Sequence, residues 1–234
     1  MMKFNELTFT IILKTNIRFE QSNEQIGKLI NKAFLQDSEL AVRHTVNSFK
    51  YYVFNSFYPI EKDGEYKVGR AYIFRLRTPD ASLAAKIKLL LPKTENDLLT
   101  VLSVQLKTVN QSYVSNIYTM TPVVVTLENN EYWTHKHDLM LLSKQLQDNL
   151  EKKYKGFYQG FEAVPESFIQ RIELLNEKPM AMIYKNVKFI GNKFKIWVNE
   201  DEASQKLAFM AMACGLGEKN SAVGAGFCTG GQNR

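Results

Sequence analysis

Leu7-Thr8-Phe9-Thr10-Ile11-Ile12-Leu13 is followed, after eight intervening residues, by Ser22-Asn23-Glu24-Gln25-Ile26-Gly27-Lys28-Leu29-Ile30-Asn31-Lys32-Ala33-Phe34. The first run, apolar and β-branched, reads as a strand. The second opens like a capping box, with Ser22 as N-cap and Gln25 three residues later. Behind it Ile26, Leu29, Ile30, Ala33 and Phe34 fall on one face of a helix. Outward from this pair, the helical pattern fades after Asp37, and a segment carrying Arg43 and His44 leads to a strand over 49–54. A polar turn at Asp63-Gly64 precedes a strand over 70–77. Pro79-Asp80 opens a helix with Leu83, Ala84, Ile87 and Leu91 on one side, which Pro92 ends. A strand over 99–109 completes the order β-α-β-β-α-β, the ferredoxin-like arrangement.

The second half repeats that order. A strand over 118–127 leads to a helix over 138–154 with Leu139, Leu142, Leu146 and Leu150 at helical spacing. A strand over 168–175, a hairpin within 180–198, a helix over 201–214 and a short strand near Phe227 follow. The expectation is an α+β fold of two tandem ferredoxin-like (βαββαβ, RRM-like) domains, 1–115 and 116–234. The repetition lies in element order and not in the residues.

Within the hairpin, Gly191-Asn192 reads as a two-residue turn. Alternation then places Val187, Phe189, Phe194 and Ile196 on a core face and Lys188, Lys193, Lys195 and Trp197 on the other. That second face suits RNA phosphates and a stacked base, or it is a lysine-blunted edge strand. Arg75 and Arg77, two apart on one strand, form a second basic candidate.

The chain has 234 residues, 45% of them apolar, which suits one large domain or two small ones with real cores. Thirty basic against 24 acidic residues give a net charge of +6, which favours a polyanionic partner. Cys214 and Cys228 lack metal spacing and read as reduced thiols. No apolar run is long enough for a membrane span, so a soluble cytoplasmic protein with no membrane partner is expected.

Six of the 12 glycines fall in the last 20 residues, which singles out that end as a place of close backbone approach. Gly215-Leu216-Gly217-Glu218-Lys219-Asn220-Ser221-Ala222-Val223-Gly224-Ala225-Gly226-Phe227 is either a polar tail or a loop offering N–H groups to a phosphate. It is no dinucleotide fingerprint, because Asn220 stands where the third Gly belongs, and the chain has no Gly-Lys-Ser/Thr triplet for a P-loop. His135 and His137 flank Lys136 before a helix; without a further ligand nearby they read as a solvated helix start, and no metal site is expected. His44, with Arg43 beside it and Lys50 six residues on, reads from local sequence as either a packing residue or an acid/base group.

Three separated matches make the chain resemble the CRISPR-associated repeat-processing endoribonucleases of the RAMP superfamily. The segment from Gly215 to Ser221 followed by Gly224-Ala225-Gly226-Phe227 is similar to that family's C-terminal glycine-rich motif. Met120-Thr121-Pro122-Val123-Val124-Val125 is similar to the Ser-Pro-apolar start of its second domain. Arg43-His44 with Phe49-Lys50-Tyr51-Tyr52-Val53-Phe54 resembles the segment that holds its catalytic His, a basic residue and an aromatic strand. The resemblance spans nearly the whole length and implies the same tandem fold.

The resemblance further implies a metal-independent, cofactor-free endoribonuclease that cuts CRISPR precursor RNA within repeats. His44 takes the place of the general acid/base and Lys50 that of the cation near the scissile phosphate. Lys188, Lys193, Lys195, Gly215, Gly217, Lys219, Asn220, Ser221, Gly224 and Gly226 are the RNA-binding candidates. CRISPR repeat RNA is the expected partner, with subunits of a CRISPR interference complex and a second copy of the chain as further ones. Two departures stand out. No Tyr lies between Ser22 and Gln36, where many members carry one, and Ala225 interrupts the usual Gly-Phe-Gly. The rival reading is a non-catalytic RNA-binding scaffold of the same fold.

Overall fold

The computed structural model describes residues 1–46, 48–128, 130–159 and 165–231. In chain order the first half contains β1 (Lys3–Leu13), β2 (Ile17–Arg18), α1 (Phe19–Phe34), α2 (Ser38–Thr45), β3 (Val53–Phe54), β4 (Glu65–Tyr66), β5 (Ala71–Thr78), α3 (Ala81–Leu90) and β6 (Leu99–Asn110). The second contains β7 (Asn116–Thr119), α4 (Leu139–Tyr158), β8 (Ile169–Leu174), β9 (Met180–Tyr184), β10 (Val187–Gly191), β11 (Phe194–Val198), α5 (Glu202–Cys214), α6 (Asn220–Val223) and β12 (Cys228–Gly231).

Each half folds around its own four-stranded sheet, ordered β3-β5-β1-β6 in the first and β12-β7-β11-β8 in the second. Numbering the four strands of each sheet along the chain gives one order, 4-1-3-2, twice, with antiparallel pairing throughout. This is the tandem ferredoxin-like fold. Helices α1 and α3 bury Ile26, Leu29, Ile30, Leu83 and Ile87 against Leu7, Phe9 and Phe74 of the first sheet. Helices α4 and α5 bury Leu142, Leu146, Leu150, Leu207 and Met210 with Ile117, Phe194 and Ile196 of the second.

Several local expectations change. Helix α1 starts at Phe19, directly after the β2–β4 pairing, so Ser22 lies inside it; its hydroxyl donates to the Phe19 carbonyl instead of capping. After Asp37 the chain forms α2, which Asp37 caps by accepting from the Leu40 N–H. The strand expected over 49–54 is only Val53–Phe54, because Tyr51 adopts φ 54°. The strand expected over 118–127 ends at Thr119, and beyond it Val123, Val124 and Thr126 make only isolated bridges.

The largest correction concerns 180–198. The tight turn is Lys185-Asn186, with φ 49° and 63°, and it joins β9 to β10. Two consecutive left-handed residues are what a type I′ hairpin turn requires. Gly191-Asn192 instead carries the chain from this two-stranded ribbon into the main sheet, where β11 pairs with β7 and β8. The Val123 backbone exchanges hydrogen bonds with Asn192, and a Cβ on Gly191 would lie 2.6 Å from the Val123 carbonyl oxygen. Lys188 and Lys195 therefore belong to different sheets, and the single basic hairpin face does not exist.

The β9–β10 ribbon and the glycine-rich segment both dock on α1. Asn31 donates to the Tyr184 hydroxyl at 2.7 Å, and Glu24 accepts from the Lys185 N–H at 3.0 Å. Asn23 donates to the Val223 carbonyl at 2.6 Å, and the Tyr52 hydroxyl donates to the Ser221 backbone carbonyl at 3.1 Å. On the sheet side, Arg77 is the strut between the halves. Its guanidinium meets Glu6 at 2.6 Å, donates to the Cys228 carbonyl at 2.6 Å and stacks 4.3 Å from the Phe227 ring centre. Arg77 thus leaves the basic strand patch to Arg75 alone.

Candidate RNA-processing site

Docking the glycine-rich segment on α1 leaves a cleft of about 680 Å³ beside it. One wall is His44, Lys50, Tyr51 and Tyr52; the other is Gly217, Glu218, Lys219, Asn220 and Ser221, with Lys153 of α4 also lining it. The structure therefore gathers His44 and Lys50 with four of the glycine-rich candidates, from opposite ends of the chain.

His44 sits in the last turn of α2, its ring edge-on to Phe34 with centroids 6.5 Å apart. Partial burial, then the charges of Lys50 and Lys185, hold its pKa below the ordinary 6.5. Its imidazole is accordingly neutral at pH 7, the form that accepts a proton. Lys50 donates to the carbonyls of Arg43 and Val46 at the end of α2, where a cation is favoured by the helix dipole. That leaves one of its three N–H groups for a ligand. Arg43 is turned to structural use, with Asp80 at 2.7 Å and the Lys50 carbonyl at 3.2 Å.

The glycines do a different job from the one expected. Gly215, Gly217, Gly224 and Gly226 are all buried; the N–H groups of Gly215, Gly224 and Gly226 are given to the Ala211, Asn220 and Pro122 carbonyls, and Gly217 is the one of the four that lines the cleft. Gly226 has φ +68°, and a Cβ there would lie 1.9 Å from the Leu216 oxygen; at Gly224, with φ +66°, one would lie 2.2 Å from the Phe54 oxygen. They let the loop fold on itself and against β3. Asn220 is also buried, its amide bridging the Leu216 and Ala225 carbonyls. Lys219 alone of these candidates is exposed, and Ser221 is half-buried.

The remaining lysines lie outside the cleft. Lys188 is exposed on β10. Lys193 borders a separate groove with Phe19, Ser56 and Met182, where burial lowers its pKa. Lys195 stands on the outer face of the second sheet, its ammonium 5.1 Å from the Tyr118 ring and 4.3 Å from the Trp197 ring.

Two residues escaped sequence reasoning. Lys185 reaches the His44 surroundings from the β9–β10 turn, and the Lys-Asn pair between two apolar runs was its signal. Lys153 falls three residues after Leu150, on the apolar stripe of α4, where a lysine is out of place. Its ammonium is buried and donates to the Gly215 carbonyl (2.8 Å), the Gly217 carbonyl (2.7 Å) and Asn220 Oδ1 (2.7 Å). Burial pulls its pKa down to about 8. Among the described residues, no group of three His, Cys, Asp or Glu is placed to hold a metal ion, and no helix is long and apolar enough to cross a membrane.

A family model described as CRISPR associated protein Cas6, C-terminal, matches residues 106–229. The chain belongs to the Cas6 family. It is 25% identical to the CRISPR-associated endoribonuclease Cas6 2 of Methanocaldococcus jannaschii, over 94% of this chain and 97% of that one. Among solved structures it is similar to a CRISPR associated protein Cas6 (TM-score 0.70, 18% identity, 98% of this chain and 100% of the other). It is also similar to a RAMP protein described as binding different RNA substrates (TM-score 0.74, 15% identity, 97% and 100%). A Cas6-related protein from Pyrococcus furiosus matches with a TM-score of 0.70 at 17% identity, over 98% and 99%. At these identities the solved structures establish the shared fold.

Proposed function

We propose that this protein is an endoribonuclease that cuts CRISPR precursor RNA within its repeats, with His44 and Lys50 as its catalytic residues and no metal ion in the chemistry. The observation that carries the reading is the cleft, where a neutral histidine and a lysine face the glycine-rich loop. The endoribonuclease name of the Methanocaldococcus jannaschii relative, matched almost end to end, supports it. The unit holding His44 is taken as 1–115 and the unit holding the loop as 116–234.

RNA brings its own nucleophile, the 2′-OH, so neither an activated water nor a metal is needed to generate one. Neutral His44 accepts the 2′ proton, a contribution of roughly 10²–10⁴-fold for a positioned acid or base. The Lys50 ammonium offsets charge building on the phosphorane, and Lys185 adds a second positive charge nearby. Attack by the 2′ oxygen breaks the bond to the 5′ oxygen, which takes up a proton from solvent water, leaving a 2′,3′-cyclic phosphate and a 5′-hydroxyl. Lys219 and Ser221 on the loop wall, with Lys188 and Lys195 farther out, are the groups we assign to RNA binding.

The second reading, an RNA-holding protein without cleavage, draws on the tyrosines. Tyr52 is buried with its hydroxyl given to the Ser221 carbonyl, Tyr51 lines the cleft while packing against Phe49 and Phe157, and α1 itself carries no tyrosine. Repeat RNA incubated with the protein in excess EDTA separates the readings. Cutting there, abolished by a 2′-deoxy nucleotide at the scissile position, supports the nuclease; binding without cutting supports the holder.

A further inference from the structure

Lys153 is a buried cation that the proposed chemistry does not use. Its three N–H groups match three acceptors spread along the glycine-rich loop: the first glycine carbonyl, the second, and the Asn220 side chain. None of the three is charged. The nearest carboxylate, Glu218, is engaged with the Thr126 N–H and hydroxyl at 3.1 and 2.9 Å. Cys214, also beside the ammonium, is kept in its thiol form, its pKa pushed up to about 11 by burial. An ammonium buried with no directly bonded carboxylate, only the charge of Glu218 nearby, is costly in a protein interior, and a purely structural position on the α4 stripe is served better by Leu or Met.

What the cation secures is the shape of the loop. With Asn220 held by Lys153 through its oxygen, its amide nitrogen is aimed at the Leu216 and Ala225 carbonyls, which closes the loop's two limbs on each other. The same limbs present Gly217, Lys219 and Ser221 to the cleft opposite His44. We propose that Lys153 is a positioning residue: its three hydrogen bonds set the loop wall that presses RNA against His44, without touching the RNA. This inference rests on the nuclease reading of the cleft.

The test compares Lys153→Met with wild type in three measurements, all below the melting temperature. Hydrogen exchange should show lost protection at the Leu216, Glu218 and Gly226 amides, which donate to the Gly226, Val124 and Pro122 carbonyls, while the β1–β5 ladder keeps its protection. The single-turnover rate on repeat RNA at saturating protein should fall at least ~10-fold, an effect that mere loss of folded protein cannot produce once folded molecules are counted. The salt dependence of binding should stay as in wild type, because no phosphate contact is lost, whereas Lys219→Met should lower its slope by about 0.7. Should Lys153→Met not fold, Lys153→Gln, which keeps two of the three N–H donors, carries the same comparison.

An unchanged loop in hydrogen exchange, or a disturbed loop with the wild-type saturating rate, overturns the proposal. A reduced salt slope does so too, by making Lys153 a phosphate contact. If wild type does not cut repeat RNA at all, the nuclease reading fails instead, and Lys153 loses the reaction it was argued to serve.

Discussion

Arg77→Met should destabilise the protein without changing what its folded form does with RNA. The guanidinium is nearly buried and ties the two halves together through Glu6, the Cys228 and Met212 carbonyls and the Phe4 and Phe227 rings. Methionine keeps the stem's packing but leaves Glu6 without its closest cation, since Arg75 stands off at 4.0 Å. Breaking one side of a buried pair typically costs ~3–5 kcal/mol, and Glu6 keeps some solvent, so about 3 kcal/mol is expected here. For a chain of this size that corresponds to a melting temperature lower by roughly 6–12 °C. Thermal unfolding followed by circular dichroism measures the shift, and RNA binding at 20 °C below the new midpoint measures function. Glu6→Gln in the Arg77→Met background should add little, because the two changes remove the same interaction. A melting temperature within ~2 °C of wild type, with a salt slope of RNA binding lower by about 0.7, would show that Arg77 contacts phosphate and is no strut.

The pH dependence of cleavage should follow His44. Its pKa is held below 6.5 by burial and by the Lys50 and Lys185 charges, so the neutral base is present above that midpoint and the rate falls as pH drops through it. Lys185→Met removes a charge that opposes protonation, so the acid limb should move to higher pH; a limb that stays put or moves down contradicts the assignment. Gly226→Ala meets both a left-handed backbone and the Leu216 oxygen, and should destabilise by at least ~2 kcal/mol in denaturant titration. Gly64→Ala, at φ +75° with open space around it, meets only the backbone strain and should cost about 1 kcal/mol. Equal effects would show that close approach is not what the loop glycine serves.

The tandem fold was legible because burial repeats within each element. The stripe Ile26, Leu29, Ile30, Ala33 and Phe34 needs no tertiary information, and all five are buried. Pairing was less legible. Lys185-Asn186 and Gly191-Asn192 both satisfy a two-residue turn, and only the approach of Val123 decides that the second is a crossing between sheets. The glycine-rich segment was readable as a place of close backbone approach, but not what approaches: its own Leu216 and Phe54 of the other unit. Arg77 illustrates the same limit, since strand alternation fixes its face but not that the second unit covers that face. His44 and Lys50 reached the site list through the family resemblance. Their meeting with the loop depends on contacts spanning most of the chain, such as Asn23 with Val223.

The claim that His44 performs proton transfer on RNA is tested most directly by one comparison. Single-turnover cleavage of the host's repeat RNA is measured in EDTA for wild type and His44→Ala, with the product ends mapped. The account predicts one cut leaving a 2′,3′-cyclic phosphate and a 5′-hydroxyl, slowed at least ~10²-fold by the substitution while RNA affinity changes little. Cleavage by His44→Ala at the wild-type rate, or products ending in a 3′-hydroxyl and a 5′-phosphate, would contradict it.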